Sequence, residues 1–187
     1  MKKTIWIIVG VVVLLALWFL SSYNSLVTAS ESVDNKWAQV ETQYQRRFDL
    51  IPNLVNAVKG SMSQEQTIFE ELAAARSNYT GAQTVSEKAA AATQVESGLG
   101  RLLAIMENYP ELKSIDTVQT LMAQLEGTEN RISVERSRFN DEVKSYNVMI
   151  KRIPMNMVAG IFGYTEKSYF EVAAGVENAP AVDLNIN

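Results

Sequence analysis

The chain of 187 residues is 47% hydrophobic and 20% charged, enough apolar material for one well-buried domain and too much for a disordered chain. It has neither cysteine nor histidine, which excludes disulfides, thiolate metal sites, cysteine nucleophiles and histidine general bases together. The net charge of −4 arises from 21 acidic and 17 basic residues with no basic run, so nothing in it points to nucleic acid or anionic lipid as a partner.

Residues 5–20, "IWIIVGVVVLLALWFL", are uninterrupted apolar residues, and with Thr4 and Ser21 they approach the roughly 20 residues that a bilayer span needs. The lipid bilayer is therefore an expected partner through residues 4–21. A cleaved signal peptide is the alternative, with Lys2 and Lys3 as its basic region and Val27–Ala29 as the cleavage site. The apolar run is longer than such peptides use, and Trp6 and Trp18 stand at its edges like interface anchors, which favours an uncleaved anchor. Lys2 and Lys3 are the only charges before Glu31, so positive-inside bias puts the short N-terminus in the cytoplasm and the remainder outside.

From Val33 the apolar positions Trp37, Val40, Tyr44, Phe48, Ile51, Val55 and Val58 advance by threes and fours, one face of a helix. The stripe keeps phase across Pro52, which predicts a kinked but continuous helix; the missing amide leaves the Phe48 carbonyl without its helical donor. In "KGSMSQ" a break near residue 61 is expected, with Gly60 as a C-cap and Ser63 to Gln66 at capping-box spacing, although one helix running on to Tyr79 also fits. Thr84 to Glu87 is a second capping-box pattern and opens an alanine-rich helix with Val95, Leu99, Leu102, Leu103 and Met106 on its apolar face. Pro110 ends it.

Val118, Leu125, Ile132, Phe139, Tyr146 and Ile153 then recur every seven residues, with Leu121, Met122, Val143, Met149 and Ile150 beside them, the seam of a long packed helix that Pro154 stops. Residues 155–170 read as an apolar, partly helical segment, and residues 173–187 as a loose tail.

Two arginines interrupt the first stripe. If the helix rises straight from the anchor, Arg46 stands about 39 Å beyond Leu20, at 1.5 Å per residue, several Debye lengths from any head group. A partner inside the bundle is needed instead. Laying the first and last long helices antiparallel brings Trp37 to Phe139 and Arg46 to Glu129, with Glu126 one turn away, so Arg46 or Arg47 is expected to hydrogen-bond Glu129 or Glu126. A local pair of Arg46 with Asp49 is the weaker alternative. Trp37, Arg46, Arg47, Pro52, Glu126, Glu129 and Phe139 are thus the structural or interaction candidates.

Catalytic, cofactor and metal residues are expected to be absent. Glu70 and Glu71, two adjacent acids, point about 100 degrees apart on a helix. Glu126, Glu129, Arg131, Glu135, Arg136 and Arg138 alternate in sign, as salt-bridged helix faces do and metal sites do not. "SGLGR" lies inside a helical stretch without the strand a phosphate loop needs.

The stretches "YNSLV", "RRFDLIPNLVNAVKG", "YPELKS", "LEGTENRISVERSRFNDEVKSYN" and "IPMNMVAGIFGY", with Trp37 and Ala75-Arg76, together resemble the LemA family of bacterial membrane proteins. "KGSMSQE" departs from the family, which commonly shows an aromatic residue after the glycine and a histidine before the glutamate. The resemblance implies an all-α chain, a single N-terminal transmembrane helix followed by a long up-and-down, antiparallel four-helix bundle, in the bacterial inner membrane; it supplies no reaction. Descriptions of the family often put the short N-terminus outside the cell, against the direction implied by Lys2 and Lys3. The expected organisation is a stub and anchor at 1–22, a bundle at 23–172 and a tail at 173–187. The expected role is structural or protein-interacting, not enzymatic, with a second copy or another membrane protein as partner; a sensor or regulatory partner of a membrane enzyme complex is the alternative.

Overall fold

A computed structural model of the chain describes residues 2–171. Among the described residues six helices follow one another: α1 (Lys2–Val58), α2 (Gln66–Gly81), α3 (Val85–Met106), α4 (Pro110–Lys113), α5 (Asp116–Lys151) and α6 (Met155–Phe162). Among the described residues there is no strand, and the all-α reading holds. The expected tail, 173–187, lies outside the described residues.

The chain divides into two compact units. The first holds the described residues through Glu41 with Val134–Ser168, and the second holds Thr42–Ser133 with the described residues from Tyr169 onward.

In the first unit, α1 begins as an apolar helix long enough to cross a membrane, and its large side chains from Ile5 to Leu20 are exposed except for the half-buried Phe19. Its later turns bury Leu26, Val33 and Val40, and the same unit buries Phe139, Val143, Tyr146 and Ile150 of α5 and Val158 and Ala159 of α6. The switch from a helix apolar all round to one apolar on a single face marks where lipid gives way to protein as the covering medium. Ile153, expected to continue the α5 seam, is instead 83% exposed. The reason is that α5 ends at Lys151, so Ile153 sits on the turn into α6 and leaves the seven-residue phase. That turn leads into α6, and Gly163 closes α6 at φ 74, a left-handed conformation that glycine adopts without a Cβ clash.

In the second unit, the rest of α1 carries Tyr44, Phe48, Ile51, Leu54 and Val58 inward, and the helix runs through Pro52 without a break. It stops at Val58. Lys59 to Glu65 form turns around the fully buried Met62, which decides between the two readings of "KGSMSQ" in favour of the break. The expected capping box there does not form: Glu65 is the N-cap of α2 and makes no side-chain capping bond, because the turns, and not Ser63, close the helix start. At α3 the expected box is complete. Thr84 accepts from the Glu87 amide, and the Glu87 carboxylate accepts from the Thr84 amide. After α3, Pro110 takes the first position of the one-turn α4, a position where the missing proline amide costs nothing.

Helices α2 and α3 form an antiparallel hairpin, tied by Asn78 to Gln94 at 3.1 Å and by Arg101 to Glu71 at 2.8 Å. The buried residues of the pair include many small ones, among them Ala75, Ala89, Ala91, Ala92 and Gly98. A Cβ on Gly98 would lie 3.0 Å from Leu72 Cδ2, so the Leu72 side chain packs closely over the bare glycine.

Candidate interaction site

The second unit brings polar side chains into its apolar interior at one level. Arg47 is 6% exposed, flanked on α1 by the buried Tyr44, Phe48 and Ile51. Burial of a guanidinium is tolerated only when charge and hydrogen bonds answer it. Arg47 Nη1 donates to Glu129 of α5 in a charge-assisted bond and lies 3.9 Å from Glu96 of α3. Glu96 in turn accepts from the Tyr44 hydroxyl at 3.1 Å, so three helices share one polar layer. Arg47 Nε is buried and donates to nothing among the described residues.

The layer opens onto a groove of about 610 Å³ in the same unit. Leu99 and Leu103 of α3 and Met122, Ala123 and Leu125 of α5 supply apolar walls, while Arg47, Lys113, Glu126 and Glu129 put charges of both signs around it. A second, shallower groove of about 710 Å³ lies between Arg46, Asp49 and Leu50 of α1 and Thr120, Gln124 and Arg131 of α5.

Of the residues singled out in the sequence, Arg47, Glu129 and Glu126 come together here. The neighbouring Arg46 does not join them: it is exposed and faces the other groove, because adjacent helix positions point about 100 degrees apart. Pro52 lies half-buried inside α1, further along the second unit. Trp37 and Phe139 belong to the first unit, where their rings tilt against each other at 5.2 Å.

Sequence reasoning missed Glu96. Apart from the capping Glu87 it is the sole carboxylate of an alanine-rich helix, and it adjoins the apolar position Val95; that placement was the available signal. It also missed a clasp in the first unit. There Asn147, 4% exposed, donates to the Lys167 carbonyl and accepts from the Lys167 amide, both at 2.9 Å. The Lys167 ammonium reaches Asp34 at 2.6 Å and the Ser30 carbonyl at 3.2 Å, and it stands 5.6 Å from the Tyr146 ring centre. Tyr146 donates its hydroxyl to the Thr165 carbonyl. Burial, followed by the nearby Tyr164 and Asp34, raises the Tyr146 pKa above its ordinary value of 10.0.

Among the described residues no three His, Cys, Asp or Glu side chains gather as a metal site would require. Glu87 has a carboxyl held below its ordinary pKa, first by the Gln83 amide, then by the Thr84 amide and hydroxyl. It serves the cap of α3 on an exposed surface, a structural place for a shifted carboxylate.

Comparison with known proteins agrees with the family resemblance. The model of the LemA family matches residues 36–184. Magnetosome protein MamQ 2 and magnetosome protein MamQ 1 of Paramagnetospirillum magneticum are each 29% identical to the chain, over 81% of it and 65% of their own length. Magnetosome protein MamQ of Magnetospirillum gryphiswaldense is also 29% identical, with the same coverage. The chain therefore spans just under two thirds of the curated relatives it matches.

Proposed function

Because the chain belongs to the LemA family and carries its bundle behind a membrane-spanning helix, we propose that it is a non-catalytic, membrane-anchored protein whose second unit binds another protein. The observation that carries this reading is the groove beside the Arg47 layer. Apolar walls ringed by charges of both signs have the anatomy of a protein interface, a dry centre with a polar rim. A rim that holds Lys113 near Glu126 and the half-exposed Glu129 suits a second copy of the same chain, since a two-fold contact sets each surface against itself. The short N-terminus is cytoplasmic in this reading and the bundle extracytoplasmic, following Lys2 and Lys3.

A photo-reactive side chain placed at Met122, in the groove, tests the function in intact membranes. The expected result is a crosslink to one defined protein, either this chain or a stoichiometric membrane partner, identified by mass spectrometry. Labelling no greater than that from a probe at the exposed Gly60 overturns the reading. For orientation, cysteines introduced at Ser63 and Ser168, both exposed, are expected to react with an impermeant thiol reagent in whole cells, and protection of both reverses the topology. The native chain contributes no background, having no cysteine.

A further inference from the structure

Helix α6 presents two unlike faces. Val158 and Ala159 are buried against the first unit, whereas Met157 and Ile161 are each 67% exposed and Ile153, just before the helix, is 83% exposed. Met157 and Ile161 stand four residues apart and so lie along one side of the helix, and α6 from Met155 to Phe162 contains no charged residue. A helix surrounded by water would carry charge on that side.

Its position says what covers the face. Phe162, at the C-terminal end of α6, packs on Phe19 at 5.8 Å and on Tyr23 at 4.5 Å. Phe19 belongs to the apolar run that crosses the membrane, and Tyr23 stands just past the Ser21-Ser22 edge. The exposed side of α6 therefore begins where the lipid-facing surface of α1 ends, and Leu17 and Leu20, both exposed, continue it into the hydrocarbon. Lipid is already present at that boundary.

We propose that α6 is a second membrane contact, lying in the interfacial plane with Met157 and Ile161 sunk among the acyl chains. Short apolar-faced helices of this kind enter the boundary between head groups and chains to a depth of about 5–10 Å. The chain then holds the membrane at two places, through a helix that crosses and one that rests on the surface, and the first unit is fixed in height. The contact does not depend on the groove of the second unit or on which side of the membrane the bundle occupies.

The test uses full-length protein in phospholipid nanodiscs with single cysteines introduced as Met157→Cys, Ile161→Cys and, as a control, Gly60→Cys, each carrying an environment-sensitive fluorophore. Native cysteines do not interfere, and the three sites are exposed, so the fold is undisturbed. At 157 and 161 the expected emission is blue-shifted, strongly quenched by lipids bearing a nitroxide high on the acyl chain, and several-fold less quenched by iodide than at 60. Free quenching by iodide without quenching by lipid overturns the proposal. So does protection from both quenchers, which assigns the face to a protein. A blue shift that disappears as the protein is diluted in lipid assigns it to a second copy and equally overturns it.

Discussion

Lys167 and Arg47 are both cations drawn into apolar surroundings, but the two regions treat them differently. The Lys167 side chain is 24% exposed, and its ammonium is answered by a carboxylate, a carbonyl and an aromatic face, while Asn147 uses both ends of its amide on the Lys167 backbone. That clasp is closed. The Arg47 side chain is only 7% exposed, yet it has one charge-assisted bond, a second carboxylate at 3.9 Å and a buried Nε with no acceptor among the described residues. A closed network fixes a return leg of chain, whereas the Arg47 layer leaves one donor to be met by water or another group. The contrast is between a fully answered cation and a partly answered one.

If the clasp is purely structural, its loss is expected to be the costliest single polar change. Asn147→Leu leaves a buried amide and carbonyl unpaired at once, an expected destabilisation of about 3 kcal/mol by urea unfolding in detergent, with the groove crosslink unaffected in the folded fraction. A loss below about 1 kcal/mol removes the distinction between the two regions.

The Arg47 layer is expected to yield less. Glu129→Ala strips the main partner, but Glu96 remains near and the Glu129 side chain is 45% exposed, so about 1–2 kcal/mol is expected in place of the larger cost of an isolated buried charge. A double-mutant cycle with Arg47→Met is expected to show coupling of about 1 kcal/mol, and strict additivity sinks the layer as a unit.

Outside both networks, Thr84→Ala removes one half of the α3 capping box at an expected cost of about 1 kcal/mol in thermal unfolding. The companion pH profile has a defined sign. Since the Glu87 pKa is lowered in the folded protein, its stabilising effect is present above the ordinary value of 4.5 and fades as pH falls through the folded value; Glu87→Gln should flatten that part of the acid limb.

The smallest effect returns to the clasp. The Tyr146 hydroxyl is raised above its ordinary 10.0, so its contribution is complete below that pH and declines as pH climbs toward the folded value. Tyr146→Phe should lose that alkaline decline while costing about 1 kcal/mol near neutrality for the bond to Thr165. An unchanged alkaline limb would place the phenol in water.

The contrast also explains what could be read from the sequence. Long stripes such as Val33 to Val58 and Val118 to Tyr146 announce helices because period and burial coincide, and the Arg46-Arg47 pair was conspicuous as charge inside such a stripe. Which of the two arginines turns inward was not legible, since an offset of one residue in helix alignment exchanges them. Lys167 was invisible for a different reason: residues 164–170 are not helical, so no period relates them to Asp34 or Asn147. The α2 start shows the same limit. Ser63 and Gln66 have capping spacing, but the buried Met62 and its turns decide where the helix begins.

The contact between Gly98 and Leu72 has a consequence for how the bundle breathes. Helices joined through alanine and glycine gain close backbone approach but bury little apolar area per residue, so the α2–α3 hairpin is held less firmly than the leucine- and aromatic-rich seam of α5. Tyr79, packed on Tyr44 and Phe48, and Glu96, which accepts from the Tyr44 hydroxyl, tie it to α1. Native-state hydrogen exchange should therefore find the amides of α2 and α3 opening together, as one cooperative piece, well before those of α5. On that expectation the bundle has a leaf as well as a frame, with Tyr79 and Glu96 on the leaf's inner side against α1.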